Sequence, residues 1–173
     1  MGLDAATRAI LAEDTTQSPP DDIWDAAWFT ILKSLFPSSE SYTVFPLKRN
    51  DADAVLIVEV AKVTLPESPS ERRQFRIFLV VEIKDPQHWD SGKEKLLQQL
   101  EHQTDLAFKD TALGAAKDKL IWIATIGPHW LYGEKRYRQS LKPLIEWHHA
   151  TFDDASCLDL EKVAELVGRL DAE

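Results

Sequence analysis

Cysteine occurs once in 173 residues, at Cys157, so the chain has no intramolecular disulfide and no CxxC pair to hold a structural zinc, which fits a reducing compartment. Six glycines and nine prolines are too few for collagen-like or low-complexity sequence. No uninterrupted apolar run exceeds five residues, as in Ile77 to Val81, against the ~20 that a membrane-spanning helix needs. The first residues include Asp4, Arg8, Glu13 and Asp14 where a secretory signal would be apolar, so an intracellular protein, cytoplasmic or nuclear and without a membrane partner, is expected. What is present is an ordinary globular composition, 44% apolar and 28% charged, in a chain of 19.7 kDa that can bury a core without staples.

Basic charge is also short, with 20 Lys and Arg against 29 Asp and Glu and a net charge of −9, which does not favour nucleic acid as a partner. The deficit is uneven. Residues 1–47 and 150–173 each hold two basic and seven acidic groups, leaving sixteen and fifteen between them. A local basic strip therefore has two candidates in the centre: Arg72, Arg73 and Arg76, or Lys135, Arg136, Arg138 and Lys142.

Residues 1–20 are polar and finish in Ser18-Pro19-Pro20, which reads as an N-terminal arm before a single domain over 21–173. Ile23, Trp24, Ala27, Trp28, Ile31, Leu32 and Leu35 recur at helical spacing, with Asp21 or Asp22 placed as the cap. Tyr42 to Leu47, Ala54 to Val63 and Phe75 to Lys84 follow as strands. The third is apolar almost throughout and so is expected to be central. Lys93 to Phe108 reads as a helix, Leu120 to Ile126 as a buried strand, Trp130 to Tyr137 as a further edge strand, and Leu158 to Leu170 as a closing helix. The order α-β-β-β-α-β predicts a mixed α/β protein, a central mixed β-sheet flanked by helices.

Glu82 and Lys84 end the central strand two residues apart, so they project from one face, at the carboxyl end where open sheets place ligands. Their simplest role is an ion pair. Asp53 begins the preceding strand, and antiparallel pairing would set the start of that strand beside the end of the next. Two carboxylates and an ammonium then converge, and oxygen donors of this kind suit Mg²⁺. His148-His149 with Asp153 and Asp154 reads as surface, Asp85 as a turn former, and Gly127-Pro128-His129 as a turn.

With Asp53 followed by Val80-Val81-Glu82-Ile83-Lys84, the chain resembles the PD-(D/E)XK nuclease-like superfamily over roughly Asp21 to Tyr137, in particular its small fungal members. The resemblance implies that Asp53 (or Asp51), Glu82 and the Ile83 carbonyl hold Mg²⁺ or Mn²⁺, that Lys84 orients the attacking water, and that Gln99 positions water or phosphate. Ala52 stands where the family has proline, Gln103 where it often has an aromatic, and only Asp25, Asp21 or Asp22 match an acid on the first helix. A metal-dependent phosphodiester hydrolase is therefore expected. Two alternatives are a nuclease-fold protein acting as an interaction module, and one holding a small molecule against tryptophans outside the core, namely Trp89, Trp130 and Trp147.

Overall fold

The computed structural model describes residues 23–48, 55–64, 68, 74–110, 118–151 and 153–173. The expected arm, Asp21, Asp22, Asp51, Ala52, Asp53, Arg72 and Arg73 lie outside the described residues.

Helix α1 (Ile23–Leu35) follows from Trp24, Ala27, Trp28, Ile31 and Leu32, which return every three or four residues and form one buried stripe. Pro37 prevents its continuation, and a 3-10 turn closing at Ser41 (φ 68°) redirects the chain. Strands β1 (Tyr42–Lys48), β2 (Val55–Thr64) and β3 (Gln74–Lys84) then pair antiparallel in chain order. Helix α2 (Lys93–Asp110) carries the chain to β4 (Lys119–Ile126), which lies parallel to β3. Strands β5 (His129–Arg136) and β6 (Lys142–Pro143) add antiparallel, and helix α3 (Asp154–Ala172) closes the chain. The result is a mixed six-stranded sheet in the order β1-β2-β3-β4-β5-β6 with helices on both faces, the class expected from sequence. Strand β5 is internal rather than an edge, because β6 pairs with it.

Alternation divides the apolar residues between two cores. Leu79, Val81, Ile83, Ile121, Ile123, Trp130 and Tyr132 meet α1 and α3 on one face. Val80, Leu120, Trp122, Ala124, Ile126 and Leu131 meet Leu96, Leu100 and Ala107 of α2 on the other. Because β3 and β4 are the parallel pair and are covered on both sides, both read as near-continuous apolar runs. Pairing passes from Val60–Leu79 to Ala61–Ile77, so Phe78 is an extra residue on β3, and Phe78 and Leu79 enter the same core.

The last turn of α3 is pinned to the sheet by polar groups. Lys62 Nζ sits 2.6 Å from Asp171 and Arg76 donates to the Leu170 carbonyl at 3.0 Å, placing cations at the helix C-terminus. Burial, with Asp171 and Glu40 adding to it, pushes the Tyr42 hydroxyl up to about 12. At its other end α3 begins at Asp154, four residues before the sequence pattern places it. The Asp153 carboxylate accepts from the Ser156 amide at 2.7 Å, a cap that the apolar stripe does not reveal.

His148 stacks on Trp130 (centroids 4.9 Å) and its Nε2 lies 2.7 Å from Asp159, which also takes a 2.7 Å bond from Lys162. The surface reading of His148 is thus corrected. Its ring is partly buried and clamps the β6–α3 connection. Burial alone would raise the Asp159 carboxyl, but the bonds from Lys162 and His148 outweigh it and hold the group below its ordinary value. A depressed carboxylate contributes stability that is complete above its unfolded value and lost as pH falls through the folded one. Melting temperatures measured from pH 6 down to 2 should therefore fall less steeply in Asp159→Asn, already less stable at neutral pH, than in the wild type. Parallel curves would show that this carboxylate does not contribute to the acid transition.

Candidate functional site

Strand β3 directs Val80, Glu82 and Lys84 in succession toward the α2 side of the sheet. Glu82 lies between Ile57 of β2 and Ala124 of β4, and Lys84 between Val55 and Ile126. Both charged residues are buried, Glu82 at 0% exposure and Lys84 at 2%, and neither carboxylate oxygen of Glu82 reaches solvent. Each ion so placed costs several kcal/mol of desolvation unless an opposite charge or a bound ion offsets it. Between them, Ile83 turns its side chain into the opposite core. Gln99 belongs to the helix that covers the Glu82 face, and its Oε1 is buried with no hydrogen-bond partner among the described residues.

The acid expected to complete the group, Asp53, lies outside the described residues. Strand β2 enters the sheet at Val55, the register partner of Lys84. Among the described residues no three His, Cys, Asp or Glu side chains converge as a metal would require. Asp25 does not join Glu82, because α1 packs on the other face of the sheet.

The end of β3 is locked from two sides. Asp85 accepts from the Gln87 amide at 2.9 Å and starts a short 3-10 turn, Pro86–His88, acting as the turn former that its sequence suggests. Gly127 donates its amide to the Lys84 carbonyl at 2.9 Å. It occupies the left-handed region (φ 56°), suiting the first central position of the tight β4–β5 hairpin, and a Cβ there would stand 2.6 Å from Cγ of Pro86.

The register continues the same face across the sheet, from Lys84 to Ile126 and from Ile126 to His129. His129 stacks on Trp89 with centroids 3.6 Å apart and planes 16° apart, and its Nδ1 lies 3.1 Å from Nδ1 of His149. Trp147 meets Trp89 edge-on at 5.1 Å, and Lys93 Nζ lies 3.7 Å from the centre of the Trp89 ring. Burial, then His149 and Lys93, lower the His129 imidazole below its ordinary value against a smaller opposing pull from Asp90. His129 stands at the hairpin turn and His149 is exposed, as their sequence readings have it, but those readings do not join the two. The only available signal was the placement of His129 opposite the strand end Ile126, since residues 89, 129 and 149 share no periodicity. Of the three tryptophans expected to be free, Trp130 is fully buried, edge-on to Trp28 at 5.6 Å, and only Trp89 and Trp147 are partly exposed.

The candidate basic strip at Lys135 to Lys142 loses Lys135 to the interior. Lys135 turns inward, 1% exposed, with Nζ 2.8 Å from Asp105 and donating to the Glu101 carbonyl at 3.1 Å, while Lys142 pairs with Glu134 at 3.4 Å. Arg76 is committed to the end of α3.

No protein-family model, curated protein or solved structure matches the chain. No helix among the described residues is long and apolar enough to cross a membrane.

Replacing Gly127 by alanine forces a Cβ into Pro86 at a backbone angle that alanine resists, and should cost about 1–3 kcal/mol. Urea unfolding measures it. A loss under about 0.5 kcal/mol would mean that the hairpin relaxes freely and does not hold the β3 end.

Proposed function

We propose that the chain is a metal-dependent phosphodiester hydrolase of the PD-(D/E)XK nuclease-like type, in which Asp53, Glu82 and the Ile83 carbonyl hold Mg²⁺ or Mn²⁺. The observation that carries this reading is the burial of an acid and an amine side by side on one face at the end of a central strand. Carboxylate and carbonyl oxygens are the hard donors these ions take, and a desolvated Glu82 is placed to gain from such a cation. Its chemistry would be neutralisation of charge developing on the phosphate and activation of the attacking water.

The chain's own groups then have separable tasks. Lys84, held at the strand end by its Gly127 contact, orients the water and balances the developing oxyanion. Gln99 offers a buried amide oxygen with unused hydrogen-bonding capacity, suited to a water or to a protonated phosphate oxygen. Water adds to phosphorus as the ester P–O bond breaks, giving a phosphate monoester and an alcohol. A second reading, a nuclease-fold protein that holds a partner or small molecule without hydrolysis, draws on the net charge of −9 and the inward Lys135.

With Mg²⁺ or Mn²⁺ the wild type should nick DNA or RNA slowly, and Lys84→Ala should abolish the cleavage while metal binding persists. Equal cleavage by the variant would point to a contaminating nuclease. No cleavage by the wild type across several metals would favour the second reading. Thermal melts test the metal ligation without a substrate. If Glu82 shares its cation with Asp53, Glu82→Gln relieves like-charge repulsion, so stability without metal holds or rises while stabilisation by ~5 mM Mn²⁺ shrinks. A loss of about 3 kcal/mol with no metal response in either protein would make Glu82 and Lys84 a structural pair and end the catalytic reading.

A further inference from the structure

We propose that His129 and His149 form an open two-imidazole site for a borderline transition-metal ion, Cu²⁺, Ni²⁺ or Zn²⁺. Their Nδ1 atoms lie 3.1 Å apart with ring planes 79° apart, so the two nitrogens face each other from differently oriented rings. Two metal–nitrogen bonds of ~2.0–2.1 Å place their nitrogens ~2.9 Å apart at a right angle and ~3.4 Å apart at the tetrahedral angle. The observed separation falls inside that range.

The rings are also held in place. Trp89 stacks against His129 and presents its edge to His149 at 5.6 Å, and Trp147 and Lys93 in turn fix Trp89. Such support is what keeps metal-ligating imidazoles oriented. Nitrogen donors select late first-row metals, whereas the oxygen donors of the Glu82 group select Mg²⁺ or Mn²⁺, so the two sites discriminate by chemistry and this inference does not depend on the hydrolase reading. No third His, Cys, Asp or Glu joins the pair among the described residues. The remaining coordination positions fall to water or to a bound molecule, the open arrangement of reactive rather than structural metal sites. Because Lys84, Ile126 and His129 are register partners on one face, the pair stands two strands, about 10 Å, from Lys84.

A hydrogen bond between two neutral imidazoles has the same length, and metal titration separates the cases. Trp89, in contact with His129, serves as the reporter, since paramagnetic Cu²⁺ and Ni²⁺ quench indole fluorescence. Untagged full-length chain should show saturable quenching at one ion per chain, with affinity falling from Cu²⁺ to Ni²⁺, and Zn²⁺ should displace Ni²⁺ while millimolar Mg²⁺ does not. His129→Gln and His149→Gln should each weaken binding by ~10-fold or more, and His102→Gln, on the exposed side of α2, should leave it unchanged. His149 is exposed, so its variant tests the proposal even if His129→Gln folds poorly. Absence of saturable quenching in the wild type, or equal affinity in His149→Gln, would overturn it.

Discussion

Strand β3 is covered on both faces, and that constraint governs everything at its carboxyl end. Five apolar residues commit the strand to the middle of the sheet, after which the chain places Glu82 and Lys84 where water does not reach. Hydrophobic residues of similar volume at such positions commonly give a sheet at least as stable, since the desolvation of two buried ions can exceed what their attraction returns. Retaining them is a departure from folding logic, and departures of that kind concentrate where a protein binds or reacts.

The strand end that carries the pair is held in place by its neighbours in the fold. Pro86 and Gly127 meet so closely that only glycine fits, and the Gly127 amide ties the β4–β5 hairpin to the Lys84 carbonyl. The same hairpin delivers His129 to the face that Lys84 occupies. One tight turn therefore sets the distance between a buried amine and an aromatic-imidazole cluster that enter the fold from different segments. Precision of this kind comes from regular elements and short connections, which leave little freedom at the site.

How much of this could be read from the sequence depended on range. The boundaries of β3, expected at Phe75 to Lys84 and found at Gln74–Lys84, follow from local apolar content, and the common face of Glu82 and Lys84 follows from a two-residue repeat. Gln99 was reached through the resemblance and sits on the helix covering that face. Contacts set by tertiary packing were not legible. Lys135 looked like part of a basic strip because its neighbours in sequence are basic, yet β5 turns it toward Asp105, thirty residues earlier. Trp130 read as free because it follows a turn, and it is fully buried because β5, in which it is the second residue, alternates into the α1 and α3 core. Trp89, His129 and His149 converge from a 3-10 turn, a hairpin and a late loop, and no periodicity joins them.

The extra residue at Phe78 divides β3 into two segments of opposite phase. Before it Arg76 and Phe78 face α3 and α1, and after it Leu79, Val81 and Ile83 do. The half of the strand that carries Glu82 and Lys84 is thus uncoupled in register from the half near the sheet margin. A one-residue insertion or deletion among residues 74–78 can be absorbed by moving or erasing the bulge, whereas the same change after Leu79 would turn Glu82 and Lys84 into the opposite core. Variation in length is therefore tolerated on one side of Phe78 and lethal to the site on the other, which gives the acid–amine pair a protected reading frame within a single strand.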